Sequence, residues 1–295
     1  MLYSDILNLW IEEKRMEIRN SSYNNYLYTI ENRVKPELGE FNVEEITKKE
    51  LQDYIIRQSE KLKQETVINI TKVLSQSFKY AVENSYIANT PYRGIKIPKD
   101  KDVKELKVFK PEEVEKIISV KGFSQKKKDM VVIGYRTGMR LGEILALKWE
   151  DIDFQKKFLT IKRTLSLYNK EIPEICEPKT KSSRRRVDLD DVCVQILKNM
   201  GRNSEFVFTK NDGTIFSRQS IYQSFKRMCN VANVPYHSFH SLRHTHASIL
   251  LSADVHPKIV QERLGHAKIS TTLDTYSHLI PGMQQVAIKV FNDMD

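Results

Sequence analysis

Apolar residues recur at three- and four-residue spacing through the first 88 positions, in Ile6-Leu7-Trp10-Ile11, Tyr23-Tyr26-Leu27-Ile30 and Leu51-Tyr54-Ile55, which is the period of helices with one buried stripe. The span holds four helices on this reading. Ser21 or Ser22 is placed to cap the second. Thr47 with Glu50 forms a capping-box pattern ahead of the third, and a long fourth from Thr66 to Glu83 carries Val67, Ile70, Val73, Leu74, Phe78 and Ala81. The period then disappears in NTPYRGIKIPKDKDVKELKV, rich in lysine and broken by proline and glycine, the composition of an extended connector. It resumes at Pro111, a good first helical residue, followed by Glu112 and Glu113 where a helix N-terminus favours negative charge.

Between Ile152 and Leu189 the period shortens to two: Leu159, Ile161 and Arg163 alternate with Phe158, Thr160 and Lys162, and a second alternation runs near Arg186–Leu189. A small antiparallel sheet therefore interrupts a helical region. Helices return over Val192–Met200, Ser217–Val231, Ser241–Leu251, Pro257–Leu264 and Gly282–Asp293. The expected fold class is mainly α with a small antiparallel sheet, in two domains: a helical one over 1–98, a basic linker over 99–108 and a mixed α/β one over 109–295.

Composition narrows the partners. A 295-residue chain that is 40% hydrophobic has a core to bury. No run approaches the ~20 apolar residues of a membrane span, and the N-terminus lacks the marks of a signal peptide, so a cytoplasmic location without membrane contact is expected. Three cysteines without a CxxC pair support neither a disulfide framework nor a thiolate metal site. A formal net charge of +10 favours a polyanion, nucleic acid first.

All seven histidines fall between His237 and His278, which draws attention to that segment. One reading is a metal site: His240 and His244 lie four apart, with His246 or His266 as a third ligand, although the glutamate of HExxH is missing. The other pairs His240 with Arg243, three apart on one helix face, as a phosphate-handling couple. Upstream, TGMRLGEILAL presents Arg140 at a turn between glycines, with Glu143 able to hold the guanidinium.

TGMRLGEILAL, HSLRHTHASILL and LGHAKISTTLDTYSHL, in that order, closely resemble the motifs of the tyrosine recombinases, in particular the integrases of phages and integrative elements. The resemblance covers nearly the whole chain and implies a SAM-like N-terminal domain that binds core-site DNA, followed by a tyrosine-recombinase catalytic domain. Under it Arg140, His240, Arg243 and His266 line the site, and Tyr276 is the nucleophile. A cleavage that uses no metal leaves the arginines to neutralise the phosphorane. A phenol with a pKa near 10 needs a base, for which His240 is the candidate. The family's general acid is a lysine on a β-hairpin turn; Lys179 is chosen over Lys181 in a loop where five of the eight residues from Lys179 to Arg186 are basic.

The resemblance further implies site-specific strand exchange through a 3′-phosphotyrosyl link without cofactor, metal or ATP. Its partners would be double-stranded DNA with paired half-sites, a homotetramer on that DNA, and accessory DNA-bending or directionality proteins. The segment after Tyr276, apolar at Val286, Ile288, Val290 and Phe291, either docks on a neighbour or folds back. No arm-site-binding domain is expected. Asp254 stands in a loop where the family favours glycine. Competing readings are a type IB topoisomerase, a silent DNA-binding protein and a metal-dependent nuclease.

Overall fold

A computed structural model describes residues 1–98, 106–168, 172–177 and 181–276. The chain divides into two compact units, one of Met1–Lys104 with Leu167–Ile172 and the other of Glu105–Ser166 with Pro173–Asp295.

The first unit is helical: α1 (Tyr3–Arg15), α2 (Asn20–Thr29), a π-helical turn (Ile30–Val34) leading into α3 (Lys35–Leu38), α4 (Lys48–Lys61) and α5 (Gln64–Glu83). The wide turn ends at Val34, and Pro36, which has no N–H to donate, sits in the first turn of α3. Thr47 caps α4 as expected: its hydroxyl accepts from the Glu50 N–H at 3.3 Å and the Glu50 carboxylate accepts from the Thr47 N–H at 2.7 Å. The α2 cap differs from expectation. Ser21 and Ser22 lie inside the helix, and Arg19, extended and without a side-chain cap, stands ahead of it; its carbonyl accepts from the Ser22 and Tyr23 amides instead. Ile6, Leu7, Trp10, Leu51, Ile55, Ile70, Leu74 and Phe78 form the core. Tyr3 stacks on Phe78 with centroids 4.5 Å apart and pairs its hydroxyl with Ser77 at 2.6 Å, so the one polar atom it buries is satisfied.

In the second unit, α6 (Pro111–Ser119) starts at the proline as expected, α7 (Gln125–Thr137) follows, and the short α8 (Leu141–Leu145) leads into the strands. β1 (Ile152–Asp153), β2 (Phe158–Ile161) and β5 (Arg185–Asp188) make an antiparallel sheet in the order β1-β2-β5, and β3 (Thr164–Tyr168) pairs with β4 (Ile172–Cys176) as a separate ribbon. The expected single sheet is thus two. Leu159 faces Val187 and Ile161 faces Arg185 across the β2–β5 register, which puts Arg185 on the buried face.

The remaining helices are α9 (Asp191–Lys198), α10 (Arg218–Val231), α11 (Ser241–Ser252), α12 (Pro257–Leu264) and α13 (Ile269–Tyr276). The helix expected over Gly282–Asp293 lies outside the described residues. Ile133, Ile144, Leu145, Leu159, Val187, Phe225, Phe239 and Leu242 form the main core, and Ala247, Leu251, Val260, Leu264 and Tyr276 a smaller one. Asp254 takes φ +56°, a left-handed conformation that aspartate reaches more readily than most residues. No helix among the described residues is long and apolar enough to cross a membrane.

Candidate active site

Helix α7 ends at Gly138, whose φ of +67° turns the chain back. A methyl group there would lie 2.7 Å from Leu264 and 2.8 Å from His246, so both conformation and space demand glycine. The turn delivers Arg140 to the start of α8. Its backbone N–H donates to Glu143 Oε2 and its Nη1 to Glu143 Oε1, both at 2.8 Å. The proposed Arg140–Glu143 link is therefore present, made through main chain and side chain together.

Glu143 is almost wholly buried and holds a second guanidinium. Arg185 Nη1 and Nη2 donate to its two oxygens, each at 3.0 Å, a bidentate fork. Burial alone would raise the Glu143 pKa; the attraction and hydrogen bonds of Arg185, then Arg140 and Arg243, bring it down to about 2. Arg185 Nε donates to the Arg263 carbonyl at 2.7 Å. A Cβ on Gly265, which ends α12 at φ +70°, would come within 2.9 Å of Arg185 Cδ. Arg185 thus ties β5, the Arg140 turn and the turn before His266 into one frame.

Arg243, on the first turn of α11, is 1% exposed. Its Nη1 donates to the Gly138 carbonyl at 2.8 Å, and its buried Nη2 has no hydrogen-bond partner. Burial first, and Arg140 second, lower its pKa to about 9, so it stays cationic at neutral pH. Two cations close together, one with an unsatisfied buried N–H, form a receptor for an oxyanion.

The histidines divide by their partners. His246 Nδ1 donates to the Tyr135 carbonyl at 2.9 Å and its Nε2 accepts from Arg263 Nε at 3.0 Å, which fixes a neutral tautomer; burial, then Arg263, lowers its pKa to about 3. Both ring nitrogens are engaged, so His246 has none left for a metal. His266 Nδ1 shares a 2.8 Å hydrogen bond with Thr272 Oγ1. Burial, then Arg243, Arg140 and Arg185, lower it to about 3. His240 keeps surface in water, yet partial loss of hydration, then His244, Arg243 and Arg140, push it below the usual histidine range. Among the described residues no three His, Cys, Asp or Glu side chains gather as a metal-binding group.

Tyr276 ends α13 and is 1% exposed. Apolar neighbours from α11 and α12 enclose its ring because α13 packs on both helices. Its hydroxyl lies 2.6 Å from Nδ1 of His244. Burial raises the phenol to about 12, while Arg243 pulls the other way.

Arg140, His240, Arg243, His266 and Tyr276 thus fall in one unit, close enough for Arg243 to act electrostatically on His240, His266 and Tyr276. Lys179 lies outside the described residues. Lys181 opens a short 3-10 turn, Lys181–Ser183. His237 sits apart, its ring against Phe109, and His256 accepts from the Lys258 amide ahead of α12. Reading the sequence did not select Arg185, and it picked out His244 only as a candidate metal ligand. The alternation of Val187 and Leu189 carried a signal for Arg185, since two residues back along a strand is the same face.

Comparison with known proteins follows these two units. The profile of the phage integrase family matches residues 107–282, and that of the phage integrase N-terminal SAM-like domain matches residues 2–57. A protein described as tyrosine recombinase XerC-like, from Caldanaerobacter subterraneus subsp. tengcongensis, is 31% identical over 98% of this chain and 82% of its own. The ICEBs1 integrase of Bacillus subtilis is 26% identical over 99% and 83%. The solved structure of the Tn1549 transposon integrase in complex with a circular intermediate DNA superposes with a TM-score of 0.85, at 20% identity and 99% coverage of both chains.

Proposed function

The chain belongs to the phage integrase family, the site-specific tyrosine recombinases, and we propose that it exchanges DNA strands with Tyr276 as nucleophile. The phenol oxygen attacks the scissile phosphorus, the bond to the 5′ oxygen breaks, and a 3′-phosphotyrosyl ester remains beside a free 5′ hydroxyl. A 5′ hydroxyl from another strand reverses the step. One phosphoester replaces another, so no nucleotide is hydrolysed.

Arg140 and Arg243 take the two non-bridging oxygens, where charge builds in the transition state. His266, oriented through Thr272, adds a hydrogen bond to the same phosphate. Lys179 is the acid for the departing 5′ oxygen. The observation that carries this reading is Arg243: a cation buried to 1% exposure with one Nη fixed on Gly138 and the other unpaired, electrostatically coupled to Tyr276.

The DNA is proposed to carry paired half-sites and to assemble a homotetramer, with accessory bending or directionality proteins joining it in the cytoplasm. Cleavage is proposed to be indifferent to chelators. The test is incubation with nicked half-site DNA followed by denaturing electrophoresis and peptide mapping. A detergent-resistant adduct on Tyr276, absent in Tyr276→Phe, is expected; an adduct on another residue, or loss of cleavage in chelator, refutes the assignment.

A further inference from the structure

A base for the nucleophile has to touch the hydroxyl it deprotonates, so geometry comes before pKa. Among the described residues, the group on Tyr276 Oη is His244 Nδ1, at 2.6 Å. His240 stands one helical turn earlier, its ring packed edge-on against His244 at 4.8 Å between centroids and 86° between planes.

We propose that His244, and not His240, takes the phenol proton as Tyr276 attacks, a reading that rests on Tyr276 being the nucleophile. The His244 backbone is set for this. Its N–H donates to the His240 carbonyl and its own carbonyl accepts from the Ser248 hydroxyl at 2.9 Å. α13 meets α11 at the same place.

The protonation states agree with the geometry. Burial, then Arg243, hold His244 below the ordinary histidine pKa, so at neutral pH the ring is uncharged and Nδ1 can accept. In the cleavage step the Oη–H bond breaks and Nδ1–H forms, Oη–P forms and P–O5′ breaks. The leaving oxygen takes its proton from the separate acid. On rejoining, Nδ1–H returns its proton to Oη and the acid recovers its own. His240, acted on by both Arg140 and Arg243, is left to the phosphate.

The experiment is single-turnover cleavage of a half-site in which sulfur replaces the 5′ bridging oxygen, a leaving group that needs no acid. It compares the full-length chain with His244→Asn, His240→Asn and Tyr276→Phe between about pH 7 and 9. The unaltered chain should give a flat profile, because a base with a depressed pKa is already free throughout this range. His244→Asn should bind the half-site as tightly but cleave at least ~10²-fold more slowly at neutral pH. Its rate should climb about tenfold per pH unit, since the phenolate must then form by loss of a proton to solvent. His244→Ala should be accelerated by added imidazole. His240→Asn should stay flat.

A flat His244→Asn profile, a sloping His240→Asn profile, or His244→Ala left slow in imidazole while still binding DNA would overturn the assignment. If the unaltered chain forms no adduct, or Tyr276→Phe forms one, the nucleophile assignment has failed instead, so the two failures are distinguishable.

Discussion

Glu143 holds two guanidinium groups on one buried carboxylate, and its neighbours set its pKa near 2 against an unfolded value of about 4.3. The folded state therefore binds the proton less readily than the unfolded one. This contribution to stability is complete above about pH 4.3 and fades as pH falls toward 2. Replacing Glu143 with Gln leaves Arg185 buried with half of its fork unmatched, a change that costs about 3–5 kcal/mol in comparable buried pairs; thermal unfolding at pH 7 should register it as a large fall in Tm. Arg243→Ala should slow cleavage by at least ~10²–10³-fold while changing DNA affinity far less, and quenched-flow cleavage beside a binding isotherm separates the two. Arg140, Arg243, His266 and Tyr276, the residues proposed for the reaction, each sit in a local motif of the sequence. Arg185, the middle of three arginines, is singled out only by the strand register, and His244, legible as a candidate metal ligand among seven histidines, is joined to the phenol only by the α11–α13 contact.

At the scale of elements, turns do more than helices to assemble the site. Gly138→Ala would force a left-handed backbone onto a residue with a Cβ and drive it into Leu264 and His246. The expected result is a loss of about 1–3 kcal/mol together with slower cleavage, since the displaced carbonyl is the one that holds Arg243; a variant with unchanged Tm and rate would contradict this account. In the N-terminal unit, Thr47→Ala removes the capping hydroxyl and should cost about 1 kcal/mol in urea unfolding. That cap was readable because its partner lies three residues away. The start of α2 was not, because backbone carbonyls do the work there. Helix α7 escaped for a different reason: Met130 to Gly134 are all buried, and a segment covered on every side shows no stripe.

Across the whole molecule, histidine chemistry sets the acid limit before the carboxylates do. His244, His246 and His266 are all depressed below the ordinary value of about 6.5 in the folded state. Unfolding takes up protons below that pH, so stability present above it is lost on acidification. His246, buried with both nitrogens engaged, contributes up to about 1 kcal/mol per pH unit in this window; Tm measured at pH 7.5 and 5.5 should fall, and an unchanged value would count against these neutral imidazoles. The net charge of +10 predicts DNA affinity that drops steeply with salt, by about −0.9 in log–log slope for each phosphate neutralised. The mixed fold was legible in the chain because the hydrophobic period changes where helices give way to strands. The enclosure of Tyr276 was not, and it bears on what happens after cleavage. If Tyr276 is the nucleophile, as proposed, an ester formed on an oxygen so poorly reached by water is shielded from hydrolysis, so the severed strand can wait for a sugar hydroxyl to reseal it rather than drift off as a permanent break.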